Sequence, residues 1–146
     1  MIIRPFSRAD SSQVRSMVLE VLEGEGFHYD PVKDSDLEDI EGFYIENGGA
    51  FFVAVEGNTV VGSSALRRIG ADICEIKRIY VRKDHRCKGI GSALLAKALD
   101  IAKQHCLLVT LKTDVSLENA ISLYLKNGFI IVKEENNTVY FEKQLC

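Results

Sequence analysis

The sequence has little of what marks a membrane protein, a nucleic-acid-binding protein or a metal site. No apolar run approaches the roughly 20 residues that span a bilayer, and the start lacks the layout of a signal peptide. Eighteen basic residues face 21 acidic ones, and this net charge of −3 argues against a surface built to neutralise phosphates. The four cysteines form no C-x-x-C pair. We therefore expect a cytoplasmic protein with reduced thiols that binds no metal, no nucleic acid and no membrane.

The composition is that of one globular domain. The chain has 146 residues, of which 47% are hydrophobic and 27% charged, enough to bury a core without disulfides or metals. There is no internal repeat and no linker, so residues 1–146 are expected to form a single domain.

Hydrophobic spacing predicts an alternating arrangement of strands and helices. A strand over residues 2–6 precedes a helix that begins after a capping box at 7–10 and ends near residues 24–26. A second capping box at 35–38 predicts another helix, ending at residues 48–49. Further strands are predicted at 51–55, 60–69, 73–81, 107–112, 129–133 and 139–142, with helices after Gly91 and Ser116. The order β-α-α-β-β-β-α-β-α-β-β indicates a mixed α/β domain with one sheet.

In the strand predicted at residues 73–81, the alternation of apolar and polar side chains breaks between Ile76 and Ile79. An inserted residue shifts every later side chain to the other face, so we predict a β-bulge near Lys77 and Arg78.

A glycine-bearing loop follows this strand and leads into a helix. The start of a helix presents unpaired N–H groups and a positive dipole, which suit a pyrophosphate. A dinucleotide fingerprint would need a third glycine where Leu94 stands, and a P-loop would need Gly-Lys-Ser/Thr at its end. The glycines alone fit a plain strand–helix turn as well as an anion site.

Three strings in this order resemble motifs of the GNAT family of N-acetyltransferases. RCKGIG at 86–91 matches the family's R/Q-x-x-G-x-G/A signature, and EIKRIYV at 75–81 resembles its fourth strand. NAISLYLKNGF at 119–129 is similar to the family's N-x-x-A/S-x-x-L-Y-x-x-x-G-F ending in an approximate register. The order of elements is also that of the family, so the resemblance covers nearly the whole chain.

The resemblance implies a fold, a cosubstrate and a set of contacts. The implied fold is a twisted, mostly antiparallel sheet of about seven strands, splayed between strands 4 and 5, with four helices. The implied cosubstrate is acetyl-coenzyme A, and family members are often homodimers. The implied cofactor-binding residues are Ile79, Tyr80, Val81, Arg86, Cys87, Lys88, Gly89, Ile90, Gly91, Ser92, Asn119 and Tyr124.

Two residues are the candidates for proton transfer. Glu75 lies 11 residues before Arg86, the spacing of the general base in some family members, although strand glutamates are also commonly solvated or paired with lysine. Tyr124 stands where the family keeps the acid that protonates the departing thiolate, and the alternative is a core tyrosine with a bonded hydroxyl. The N–H of Ile79 or a neighbour could act as the oxyanion donor.

Weaker candidates surround these residues. His85 could contact phosphate, and the loop residues His28, Tyr29 and Asp30 could contact the acceptor. The acidic side chains Asp34, Asp36, Glu38, Asp39 and Glu41 could attract a cationic acceptor, but such a helix is more often a solvated face.

The expected function is therefore transfer of acetyl from acetyl-CoA to a primary amine of a small molecule or peptide, by direct attack in a ternary complex. The alternative is a non-catalytic acyl-CoA sensor or interaction module on the same fold. A small dinucleotide-binding protein is disfavoured by Leu94 and by the lack of repeated parallel β-α-β units.

Overall fold

Seven strands form one sheet in the computed structural model, which describes residues 1–145 and leaves Cys146 outside the description. The strands are β1 Ile2–Pro5, β2 Ala50–Glu56, β3 Thr59–Arg68, β4 Ile73–Val81, β5 Leu108–Asp114, β6 Ile130–Glu135 and β7 Thr138–Gln144. Their order across the sheet is β1-β2-β3-β4-β5-β7-β6, and among these only β4 and β5 run parallel. The expected mixed, mostly antiparallel sheet of seven strands is confirmed.

Three α-helices cover the two faces of the sheet: α1 Ser11–Gly24, α2 Ile90–His105 and α3 Glu118–Lys126. The apolar stripe of α1, including Val14, Met17 and Val18, is buried against one face. The stripe of α2, including Leu95 and Ala98, is buried against the other face together with α3. Within the described residues, no helix is both long enough and apolar enough to cross a bilayer.

The second predicted helical segment is two short turns instead of one helix. A 3-10 turn spans Ser35–Glu38, and a π-helical turn spans Glu41–Ile45. Between them Asp39 takes an extended conformation with φ −150° and ψ 73°, and its carboxylate accepts the N–H of Gly42. The prediction of a continuous helix was wrong because side-chain acceptors compete with the helical backbone bonds here.

The turn residues behave as their chemistry predicts. Gly57 has φ +61° in the turn between β2 and β3, and Gly128 has φ +87° directly after α3. Asn136 and Asn137 both have positive φ in the two-residue turn between β6 and β7. The cap of α3 is shifted by one position: Leu117 is the N-cap, because Ser116 donates to Asp114 instead.

The state of the cysteines differs from the expected reduced thiols. Cys74 on β4 and Cys106 at the end of α2 are joined as a disulfide, with their Cα atoms 6.1 Å apart. The prediction of reduced thiols is therefore wrong for this pair. No pattern in the sequence indicated the pairing, since 32 positions separate the two residues and only the packing of α2 on β4 brings them together.

We expect the titratable thiol count of the denatured protein to rise by two on reduction, because Cys74 and Cys106 do not react while bonded. Thiol titration in denaturant, with and without reductant, measures this directly. A count that does not change would show that both residues are thiols in the purified protein.

Candidate functional site

A β-bulge interrupts β4 where the sequence predicted it. Ser64 of β3 faces two residues of β4, Arg78 and Ile79, because the pairs on either side are offset by one. Arg78 has φ +57°, and its carbonyl accepts the Ser63 hydroxyl at 2.7 Å. As a result Lys77 and Arg78 both lie on the α1 face of the sheet.

The two parallel strands separate soon after they meet. Three residue pairs join β4 to β5, and the last is Glu75 with Thr110. β4 continues to Val81 and β5 to Asp114 without pairing to each other. The structure therefore has the expected splay between its fourth and fifth strands.

Main-chain groups of β4 line the resulting gap. Just past the strand, the N–H of Arg82 donates to the Val61 carbonyl of β3 at 2.8 Å. Because an antiparallel ladder alternates its direction, the main-chain groups of Ile79 and Val81 point the other way, into the gap. The carbonyl of Val81 accepts the Arg86 side chain at 3.1 Å. The rest of this edge of β4 is available to an extended ligand.

The glycine loop presents a row of free amides at the start of α2. Cys87 and Gly89 have φ of +64° and +79°, and the loop is exposed. The first main-chain bond into the helix is from Ala93 to the Gly89 carbonyl, at 3.0 Å. Among the described residues, no main-chain or side-chain acceptor takes the N–H groups of residues 87–92. This concave set of donors is of the kind that binds phosphate oxygens.

The two cations of the loop have different surroundings. Arg86 is exposed but has partners: besides the Val81 carbonyl it contacts Glu25 after the end of α1, at 3.1 Å. Lys88 is exposed and, within the part of the chain described, has no carboxylate within 4 Å. Arg86 therefore anchors the loop, and both cations are exposed to an approaching anion.

The side chains at the start of α2 divide between core and solvent. Ile90 is buried against the sheet, so only its main chain can contribute to a site, while the hydroxyl of Ser92 is exposed. A Cβ on Gly91 would lie 3.6 Å from Leu123 and 3.8 Å from Val81, which is ordinary contact.

Tyr124 of α3 has a buried ring and an unbonded hydroxyl. The ring packs edge-on against Phe129 and Phe141, at 6.1 and 5.4 Å between centroids. No described residue bonds the hydroxyl, yet it is not sealed from solvent. Burial, and to a lesser degree Tyr80, raise the pKa of Tyr124. A proton therefore stays on this hydroxyl at neutral pH.

The remaining predicted residues lie around the gap. Glu75 is half-buried on the α1 face, at the last pair before β4 and β5 separate. Tyr124 belongs to the core on the opposite face, so the two proton-transfer candidates stand on the two sides of the sheet. Asn119 is exposed in the first turn of α3 and bonds to no described residue. Tyr80 is partly buried and packs toward α1.

The weaker candidates are occupied by neighbours. His85 lies 2.9 Å from both Glu56 and Asp84. The Tyr29 hydroxyl donates to Glu38 at 2.9 Å.

Sequence reasoning missed a buried ionic network beneath the bulge. The Arg78 guanidinium donates to both oxygens of Asp36, at 2.9 and 2.6 Å, and to Asp34 at 2.9 Å. Tyr44 donates to Asp36 as well, and Arg78 donates to Tyr80 at 3.3 Å. The signal in the sequence was the bulge itself, which turns a charged side chain toward a buried face.

The pKa of Asp36 reflects this network. Burial raises the pKa of the carboxyl, but hydrogen bonds from Arg78 and Tyr44 outweigh it, and the net pKa lies below the usual range. The pKa of Tyr44 is raised, first by burial and then by the Asp36 charge. In this network the Arg78 guanidinium is therefore shared by two carboxylates, Asp34 and Asp36, and the Tyr44 hydroxyl is neutral.

The acidic segment is only in part the solvated face we expected, since Glu38 and Asp39 are exposed. Asp34 and Asp36 are buried and share the positive charge of Arg78. Glu41 pairs with Arg8, and Glu38 pairs with Arg15 at 3.2 Å. These carboxylates have partners within the protein, so they do not form a binding surface for a cation.

Comparison with known proteins assigns a family. The acetyltransferase (GNAT) family profile matches residues 16–129, and the chain belongs to this family. Streptothricin acetyltransferase A of Bacillus subtilis (strain 168) is 34% identical over 102 residues, 68% of this chain and 58% of that protein. A GNAT-family acetyltransferase from Staphylococcus aureus Mu50 superposes with TM-score 0.91 over 99% of both chains, at 25% identity.

A further solved structure shares the fold. PaiA N-acetyltransferase from Thermoplasma acidophilum, in complex with coenzyme A, superposes with TM-score 0.82 at 22% identity, over 98% of both chains. The chain spans about half the length of the first curated relatives it matches.

Replacing Arg78 by Met is expected to lower the free energy of unfolding by about 3–5 kcal/mol at pH 7, because it leaves Asp34 and Asp36 as uncompensated buried charges. Urea unfolding measures the change. Arg68→Met is the control, since Arg68 is exposed and its removal should cost less than about 0.5 kcal/mol.

The difference between the native protein and Arg78→Met should shrink as the pH falls below about 4, near the unfolded pKa of an aspartate. Asp36 has a lowered pKa in the native fold, so its contribution is present above that pH and lost below it. A difference that stays constant down to pH 3 would contradict the assigned ion pair.

Proposed function

We propose that the protein transfers the acetyl group of acetyl-coenzyme A to a primary amine by direct attack in a ternary complex. The observation that carries the proposal is the row of free N–H groups at residues 87–92, beside the unpaired edge of β4. A diphosphate needs such donors, and an amide-containing pantetheine chain needs such an edge. The neighbour from Thermoplasma acidophilum, which holds coenzyme A on the same fold, supports this ligand.

The residues present fit the parts of this cosubstrate. The amides of Cys87 to Ser92, with Lys88, would hold the diphosphate. The main chain of Ile79 and Val81 would pair with the pantetheine amides, and Asn119 would contact the same ligand from α3. Acetyl-CoA supplies the activated acetyl thioester.

Three groups of the chain would then serve the transfer. Glu75 accepts the proton of the acceptor amine, directly or through one water, because an amine of pKa about 10.4 is almost entirely protonated at pH 7. The N–H of Ile79 stabilises negative charge on the carbonyl oxygen. Tyr124 donates a proton to the departing sulfur, and its raised pKa keeps that proton in place.

The step balances without any further reagent. The amine nitrogen forms one bond to the acetyl carbon, and the carbon–sulfur bond breaks with its electron pair on sulfur. Before the attack the ammonium gives one proton to Glu75, which passes it to solvent, and the second amine proton passes to Glu75 as the amide forms. Sulfur takes the proton from Tyr124. The products are an N-acetylated amine, coenzyme A and one released proton, and exchange with solvent restores the two side chains.

Gly91→Glu is expected to weaken coenzyme A binding about a hundredfold or more, because a carboxylate would stand where the phosphates bind. The fold should persist, since a Cβ at this position meets only ordinary contacts. Isothermal titration calorimetry with coenzyme A measures the affinity. Ala96→Glu, on the exposed side of α2, is the charge-matched control. Equal affinity in both variants would contradict the phosphate-loop assignment.

Tyr124→Phe should lower kcat about 10²–10⁴-fold while leaving coenzyme A affinity within about twofold, because only the proton donor is lost. Thiol release from acetyl-CoA, followed with an amine panel, gives kcat. An unchanged kcat would overturn the acid role of Tyr124. A native protein that binds acetyl-CoA but releases no thiol with any amine would instead be the non-catalytic sensor.

A further inference from the structure

The charges on the α1 face at the mouth of the gap include three cations around Glu75. Arg67 lies opposite Glu75 on β3, and Lys77 follows two residues later on β4. Lys112 of β5 lies on the same face, since its neighbour Leu111 is buried in the other core. The candidate base is thus surrounded by positive charge.

These cations lack partners, in contrast to the acids nearby. Among residues 1–145, no carboxylate oxygen lies within 4 Å of Arg67, Lys77 or Lys112. Four acids of the neighbouring segment are already paired: Asp34 and Asp36 with Arg78, and Glu38 and Glu41 with other arginines. The charged side chains that adjoin Glu75 in the sheet register, Arg67, Lys77 and Lys112, are all positive.

One aromatic ring holds two of the cations in place. The Arg67 guanidinium carbon lies 4.8 Å from the Phe43 ring centroid, and the Lys77 nitrogen lies 5.9 Å from it. Such contacts order the long side chains without neutralising them. Partial burial lowers the pKa of Lys77, opposed by the Glu75 charge, so an anion beside it would favour its charged form.

We propose that the acceptor is a compact amine that carries a carboxylate next to its amino group, as an α-amino acid does. Its carboxylate contacts Arg67 and Lys77 while its amine faces Glu75. Glu75 and Lys77 are two positions apart on one strand, and such positions lie roughly 7 Å from each other. A molecule with its amino and carboxylate groups on one carbon can bridge this distance. A polyamine would place its second cation against Arg67 and Lys77. This inference rests on the acetyl transfer proposed above.

The test compares free amino acids with their α-carboxamides and with spermidine, using thiol release from acetyl-CoA. Each amino acid and its amide share the amine and the side chain and differ in the carboxylate. We expect kcat/KM at least about tenfold higher for the best amino acid than for its amide, as the loss of a charge-assisted contact predicts.

Substitutions test which residues produce the preference for the amino acid over its amide. Arg67→Met and Lys77→Met should each lower kcat/KM for the amino acid about tenfold to a hundredfold and leave the rate for the amide within about twofold. Lys77→Arg should restore most of the preference. Lys97→Met, which removes one exposed charge from α2, should change neither rate.

The failures of the two proposals are distinguishable. If spermidine or the amides are the better acceptors, or if the two Met variants affect both substrates equally, the anionic acceptor is overturned and acetyl transfer stands. If no amine releases thiol, acetyl transfer and the acceptor class fall together.

Discussion

One extra residue in β4 sets the geometry on which the site depends. The bulge opposite Ser64 increases the local twist and bend of β4, which runs away from β5 after only three pairs. A regular parallel pair would have used the edge of β4 for ladder bonds and left no room for a ligand. The gap is therefore a consequence of the strand register. The donors of the glycine loop lie at its end because this loop is part of the connection from β4 to α2.

The bulge is held by charge as well as by main-chain bonds. It turns Arg78 toward the α1 face, where Asp34, Asp36 and Tyr44 enclose it. Buried ions are expensive to desolvate, so a network of this kind is retained only when every member is bonded. Here the same bonds tie the segment after α1 to β4, the strand that borders the gap. They therefore fix the position of that segment relative to β4.

The two faces of the sheet carry different chemistry. On the side of α2 and α3 lie the free amides of the loop and the unbonded hydroxyl of Tyr124, suited to a phosphate-bearing thioester. On the side of α1 lie Glu75, Arg67 and Lys77, suited to a polar acceptor. Because the strands separate between these faces, the proposed direct transfer would have its two substrates enter the gap from opposite sides.

Local patterns in the sequence determined the strands, the three α-helices, the positions of the turns and the bulge, since alternation, periodicity and turn chemistry act over a few residues. The sequence also predicted the glycine loop and Tyr124 as parts of a site, because they belong to contiguous motifs. Only the tertiary structure decided the broken second helix, the Cys74–Cys106 pair and the Arg78 network. The pair and the network join residues 32 to 44 positions apart. Such pairings depend on which elements pack together, and the free energy of burying a charge or a thiol is set by those neighbours rather than by the adjacent sequence.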